Sequence, residues 1–141
     1  MIPKWDGRFL QLAEHVAGWS RDPSTKVGAV IVRPDKTIAS MGFNGFPRGV
    51  KDDVERYCNK EEKYQRIIHA EINAILFLKE PAVGFTLYTW PLLPCDRCAT
   101  CVIQVGITRV VSLISFEARW AASITRAKEM LTEAGVVVDV V

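Results

Sequence analysis

The 141-residue sequence is defined first by what is scarce in it. It holds two histidines, His15 and His69, and only 9% aromatic residues. No apolar run approaches the roughly 20 residues needed to span a bilayer, so no membrane partner is expected. The N-terminus, MIPKWDGRFL, turns polar at once and lacks the apolar stretch of a signal peptide. Neither charge sign dominates, since 18 Lys and Arg oppose 16 Asp and Glu for a formal net charge of +2. That balance is too mild to announce a nucleic-acid partner. There is no internal repeat and no low-complexity tract. A cytoplasmic globule is expected, with residues 1–141 forming one domain whose 49% apolar residues suffice for a core.

Hydrophobic spacing then sets the expected elements. Phe9, Leu12, Val16 and Trp19 recur at helical period behind Asp6, a suitable N-cap, which predicts a helix over 6–19. "KVGAVIV" (26–32) and "TIASMGF" (37–43) read as antiparallel strands joined by the tight turn Arg33-Pro34-Asp35-Lys36. The first is apolar throughout, as befits a strand covered on both faces. Residues 44–68 read as a long solvated connection with at most a short helix before Ile67, and connections of that length are usually functional. A helix over 69–79, a strand at 85–89, a helix over 95–105 and a strand at 107–113 follow. A last helix carries Trp120, Ile124, Ala127 and Leu131 on one face, Gly135 closes it, and a strand at 136–140 ends the chain. Strands alternating with helices predict an α/β fold, a three-layer α/β/α sandwich around a five-stranded mixed sheet.

Three of the four cysteines, Cys95, Cys98 and Cys101, fall within seven residues, a crowding that favours metal or redox chemistry over disulfides. "PCDRC" sets Cys95 and Cys98 at the spacing that lets two thiolates reach one metal from a first helical turn. His69 opens the apolar stretch "IIHAEINAIL" and offers a third donor. Three protein ligands with one open position make a catalytic Zn²⁺ site, which acidifies water from 15.7 toward about 7. Glu71, two residues past His69, is placed to move protons without joining the metal. Core packing of the same residues, or a closed structural zinc completed by Cys58 or Cys101, are the competing readings. Cys101 reads as a core cysteine and Cys58 as a free surface thiol.

The pairing of "HAE" with "PCDRC" resembles the signature of zinc nucleobase deaminases. The resemblance to the cytidine deaminase-like superfamily covers nearly the whole chain in element order. Within it, "SRDPSTKVGAVIV" (20–32), "GFNGFPRG" (42–49), "HAEINAIL" (69–76) and "TLYTWPLLPCDRC" (86–98) are most similar to deoxycytidylate (dCMP) deaminases. The resemblance implies hydrolysis of dCMP to dUMP and ammonia, with Glu71 as proton shuttle. It implies that Asn44 contacts the sugar and that backbone near Ala29 meets the base edge. It also implies a homo-oligomer, a hexamer in many members. For the phosphate, Lys26 is the first choice, with Ser24 and Arg48 behind it. Trp90 reads as a wall of the base pocket.

Regulated members of the family carry a further zinc or an allosteric nucleotide site. Here His15 is the one spare histidine, and Glu80 near Phe77 would repel a triphosphate, so neither is expected. Other deaminase substrates remain open: dCTP, cytidine, guanine, or a base in RNA or single-stranded DNA. A polynucleotide would call for a basic stripe with stacking aromatics, whereas charges here are interspersed, as in "KDDVERYCNKEEK". A non-catalytic zinc module is the alternative of another class.

Overall fold

A computed structural model describes residues 1–113 and 118–141. Its five strands are β1 (Gly28–Val32), β2 (Ile38–Phe43), β3 (Thr86–Trp90), β4 (Arg109–Ser112) and β5 (Val137–Val140), in the order β2-β1-β3-β4-β5. β1 runs antiparallel to both β2 and β3, while β3, β4 and β5 are parallel. Helices α1 (Lys4–Ala17), α2 (Val54–Cys58), α3 (Lys60–Arg66), α4 (Ala70–Leu76), α5 (Asp96–Gln104) and α6 (Ala121–Glu133) complete the described elements, with one 3₁₀ turn at Ala118–Trp120. The expected sandwich around a mixed sheet is the fold observed.

Period-two alternation in β1 makes the layers. Val30 and Val32 pack with Phe9, Leu10 and Ala13 of α1 on one face. Ala29 and Ile31 pack on the other with residues of α4, α5 and α6, among them Ala74, Val102 and Leu131. A strand sealed on both faces must be apolar throughout, as "GAVIV" is. Two glycines let the helices approach. A Cβ on Gly28 would meet the Ala13 carbonyl oxygen at 1.9 Å, and one on Gly42 would meet the Ala74 nitrogen at 2.5 Å. Either side chain would push a helix off the sheet, and at Gly42 that helix is the one His69 begins.

Several elements differ from the sequence expectation. α1 begins after Pro3 rather than at Asp6, and Asp6 is a buried side chain inside the helix. Its carboxylate accepts from both Arg109 terminal nitrogens at 2.9 and 2.7 Å and from Tyr88 Oη at 2.7 Å. Arg109 also donates to Asp139 at 2.8 Å, tying α1, β3, β4 and β5 together. Trp19 lies beyond α1, exposed, edge-on to Phe43. The 44–68 connection holds two helices, capped by Asp53 and Asn59, whose side chains accept from the amides of Glu55 and Glu62. Neither short helix has an apolar stripe, and α3 buries no residue, so hydrophobic period could not reveal them.

Arg109 holds the Asp6 carboxyl below its ordinary pKa of 3.8. A depressed carboxyl stabilises the fold fully above its unfolded pKa and loses that contribution as pH falls through the folded value. Asp6→Asn should therefore cost about 2 kcal/mol at pH 7. The gap from wild type in urea unfolding should narrow below pH 3.8. A gap that is constant with pH would contradict the assigned charge pairing.

Candidate metal centre

Two helix starts supply the donors. His69 is the N-cap of α4, and Cys95 is the N-cap of α5, its sulfur accepting from the Cys98 amide at 3.5 Å. Cys98 sits one turn into α5, buried. His69 Nδ1 is 3.1 Å from Cys98 Sγ and 3.5 Å from Cys95 Sγ, and the three donor atoms lie within 4.8 Å of one another. Bonds of ~2.3 Å to sulfur and ~2.05 Å to nitrogen at a tetrahedral zinc separate the donors by roughly 3.5–3.8 Å, so the trio fits that ion with little adjustment. The ligating imidazole nitrogen is thereby Nδ1. Cys58 and Cys101, the alternative fourth ligands of a closed site, are not members of the cluster.

Proton sharing within the trio marks the same site. A hydrogen bond from Cys98, aided by His69, draws the Cys95 thiol down to about 4. Cys98 is pushed far up by its bond to Cys95 and by burial. The hydrogen bond to Cys95 raises His69, against the opposing effect of burial. The metal-free cluster is thus a thiolate surrounded by retained protons, which a divalent cation displaces.

Glu71 in the first turn of α4 is buried at 5% exposure, which removes the reading of a solvated first-turn acid. Burial pushes its carboxyl pKa up, opposed by the His69 charge. It lines a cavity of about 400 Å³ together with His69 and Cys95. Leu92, Leu93 and Ile67 give the cavity apolar walls, and the 44–68 connection contributes Tyr57 and Lys63.

Of the substrate residues expected from sequence, Asn44 and Ser24 line this cavity. Asn44 is heavily engaged: Oδ1 accepts from Val27 N at 2.9 Å, and Nδ2 donates to Thr25 O at 2.8 Å and to Asp22 at 3.4 Å. Ala29, Lys26 and Trp90 do not line it. Ala29 is fully buried mid-strand, its neighbours in register being Gly42 and Thr89. The Lys26 ammonium is turned onto the Ser20 carbonyl, and Lys26 and Trp90 both face an adjoining cavity of about 570 Å³. Arg48 lies over the Phe77 ring at 5.1 Å, and Glu80 pairs with Arg33. Cys101 is exposed rather than a core residue, because α5 buries the face carrying Cys98, Ala99 and Val102.

Sequence reasoning missed Asp22, Lys63, Arg119 and Trp120. Asp22 is fully buried and accepts from Lys63 Nζ at 2.6 Å, from the Ser24 amide at 3.0 Å and from the Thr25 amide at 3.3 Å. Burial raises its pKa, but these donors outweigh burial and leave it lowered. An Asp followed by Pro-Ser-Thr is a turn former whose side chain bonds amides two and three residues on, and that was the available signal.

Comparison with known proteins agrees with this geometry. The model of the cytidine and deoxycytidylate deaminase zinc-binding region matches residues 3–114. An uncharacterized deaminase in the luxG 3′ region of Aliivibrio fischeri is 44% identical over 139 residues, covering 96% of this chain and 92% of the relative. The deoxycytidylate deaminase of Homo sapiens is 38% identical over 114 residues, covering 77% of this chain and 64% of the human protein. The chain thus spans somewhat under two thirds of that relative's length. The crystal structure of the dCMP deaminase from cyanophage S-TIM5, in complex with dCMP and dUMP, superposes with a TM-score of 0.82 at 26% identity, over 100% of this chain and 99% of that one.

Metal-free protein treated with iodoacetamide at pH 6 should be alkylated at Cys95 well before Cys98, because the first is a thiolate there and the second is not. Zinc should protect both. Peptide mapping that found the two labelled at equal rates would contradict the assigned proton sharing.

Proposed function

The chain belongs to the cytidine and deoxycytidylate deaminase family, and from that premise we propose that it hydrolyses dCMP to dUMP and ammonia. The observation that carries the proposal is Glu71, buried in a cavity beside a three-donor zinc site. The nucleotide assignment is supported by relatives named deoxycytidylate deaminases and by the phage enzyme holding dCMP and dUMP.

Zinc held by His69 Nδ1, Cys95 and Cys98 would supply a Lewis-acid centre that acidifies water. The remaining work falls to the chain. Glu71 takes a proton from the attacking water, delivers it to N3 of the pyrimidine, and then assists the C4 amino group as it leaves as ammonia. A carboxyl whose pKa is raised by burial is suited to both halves of that shuttle. Leu92, Leu93 and Ile67 exclude bulk water from the ring. Both Nδ2 protons of Asn44 are committed within the protein, so its contribution to the sugar is as an acceptor, through the second lone pair of Oδ1.

We place the enzyme in the cytoplasm, supported by four free cysteines and by the absence, among the described residues, of any helix long and apolar enough to cross a membrane. Assembly as a homo-oligomer is supported by exposed Trp19, Phe43, Leu76 and Phe77.

Glu71→Gln should lower kcat on dCMP by about 10²–10⁴-fold while zinc content and Tm stay at wild-type values. Full turnover in that variant would contradict the assignment. In a substrate panel, kcat/KM for dCMP should exceed that for cytidine, cytosine and guanine. Cytidine deaminated as fast as dCMP would overturn the nucleotide assignment.

A further inference from the structure

The two sulfur donors of the metal centre stand on one helical turn, and that turn is held from outside the site. In "PCDRC" the residue after Cys95 is Asp96, the first of α5 and two places before Cys98. Its amide is among the donors that a helix start leaves without an intrahelical partner. It donates to Ser123 Oγ at 3.0 Å, in the first turn of α6 and 27 residues away in sequence. The Ser123 hydroxyl donates back to Asp96 Oδ1 at 3.0 Å, so one serine takes the backbone and the side chain of the same residue. Oδ1 also accepts from the Arg97 amide at 2.9 Å, while Oδ2 accepts at 2.9 Å from Nε of Arg126, one turn beyond Ser123. The amides of Asp96, Arg97 and Cys98 are thus all engaged, the last on Cys95 Sγ and the other two through Asp96 and Ser123. Ser123 lines the cavity, but its one hydroxyl proton is committed to Asp96 and none is left to offer a ligand.

Resting on the zinc reading above, we propose that Asp96 is the positioning residue for the two cysteine ligands, with Ser123 and Arg126 as the brace that holds it. Cys95 is the N-cap of α5, and helix ends are where a helix frays. A first turn pinned to α6 keeps both sulfurs at chelating distance before the ion arrives, so less ordering has to be offset by the metal bonds. α6 can serve as the anchor because Ala127 and Leu131, both fully buried, share one core with Ala99 and Val102 of α5. The parts of the brace are unequal. The Arg126 side chain is 59% exposed, so its ion pair contributes little alone, and the part-buried exchange between Asp96 and Ser123 carries most of the effect. Asp96 is thereby a functional member of the Cys-x-x-Cys segment that never touches the metal.

The test is the rate at which zinc passes from the loaded protein to an excess of a colorimetric chelator, with thermal unfolding of each metal-free protein measured beside it. Asp96→Ala and Ser123→Ala should release zinc at least about tenfold faster than wild type. Arg126→Gln should do so by about fivefold at most. Ser123→Thr, which keeps the hydroxyl, should return the rate to near the wild-type value, and the two Ser123 variants decide the matter if Asp96→Ala does not fold. Leu131→Ala is the control for stability, since it opens a cavity in the α5–α6 core and leaves Asp96, Ser123 and Arg126 in place. It should lower Tm without a matching acceleration. Unchanged release in Asp96→Ala and Ser123→Ala overturns the brace while leaving the zinc centre intact. Acceleration in Leu131→Ala as large as in Ser123→Ala also overturns it, because any loosening of the fold would then suffice. Wild-type protein that holds no zinc overturns the zinc reading and the brace with it.

Discussion

Everything in this molecule depends on bringing the starts of α4 and α5 within one metal's reach. His69 belongs to the first and the two cysteines to the second, and their donor atoms must lie within 4.8 Å although the sequence separates them by 26 residues or more. The sheet enforces this. α4 is seated on β2 at Gly42, where its backbone would touch any side chain, and the Ser40 hydroxyl donates to the Ala74 carbonyl at 2.7 Å. α5 begins directly after β3, so the β1–β3 pairing fixes the second helix start against the first. Asp6, Tyr88, Arg109 and Asp139 brace the opposite face and the far edge of the same sheet.

The parts legible in the sequence were those with a local cause. Cysteines three apart at a helix start can reach a common ion whatever the rest of the chain does, and a glutamate two residues past a histidine in an apolar run is hard to explain as a solvated acid. "GAVIV" announced a strand covered on both faces because only such a strand tolerates no polar residue. Less legible were the roles set by partners far away in sequence. Asp6 looked like a cap because the arginine that claims it is 103 residues distant. The contact of the Lys26 ammonium with the Ser20 carbonyl is a property of the folded loop that no local pattern announces. The helices of the 44–68 connection are held by Asp53, Asn59 and ion pairs such as Lys63 with Asp22, which leave no hydrophobic period.

That connection also changes what the cavity is. Without it the zinc end would open directly to solvent along one side; with it, Tyr57, Lys63 and Ile67 close a wall. Tyr57 is anchored by a parallel stack on Phe46 at 4.1 Å and by its hydroxyl donating to Asp52 at 2.8 Å. Arg21–Asp52 and Lys63–Asp22 then join the connection to the 20–25 loop at two points. The pair at Asp52 is exposed and worth little by itself, while the buried pair at Asp22 fixes the geometry.

The central claim is that His69, Cys95 and Cys98 grip one zinc ion and leave a corner open beside Glu71. Zinc K-edge X-ray absorption on protein expressed with zinc tests it most directly, read together with elemental analysis of the same sample. One zinc per chain with two sulfur and two nitrogen or oxygen neighbours is the predicted result. A shell of three or four sulfurs, which would recruit Cys58 or Cys101, or protein that retains no zinc, would contradict it.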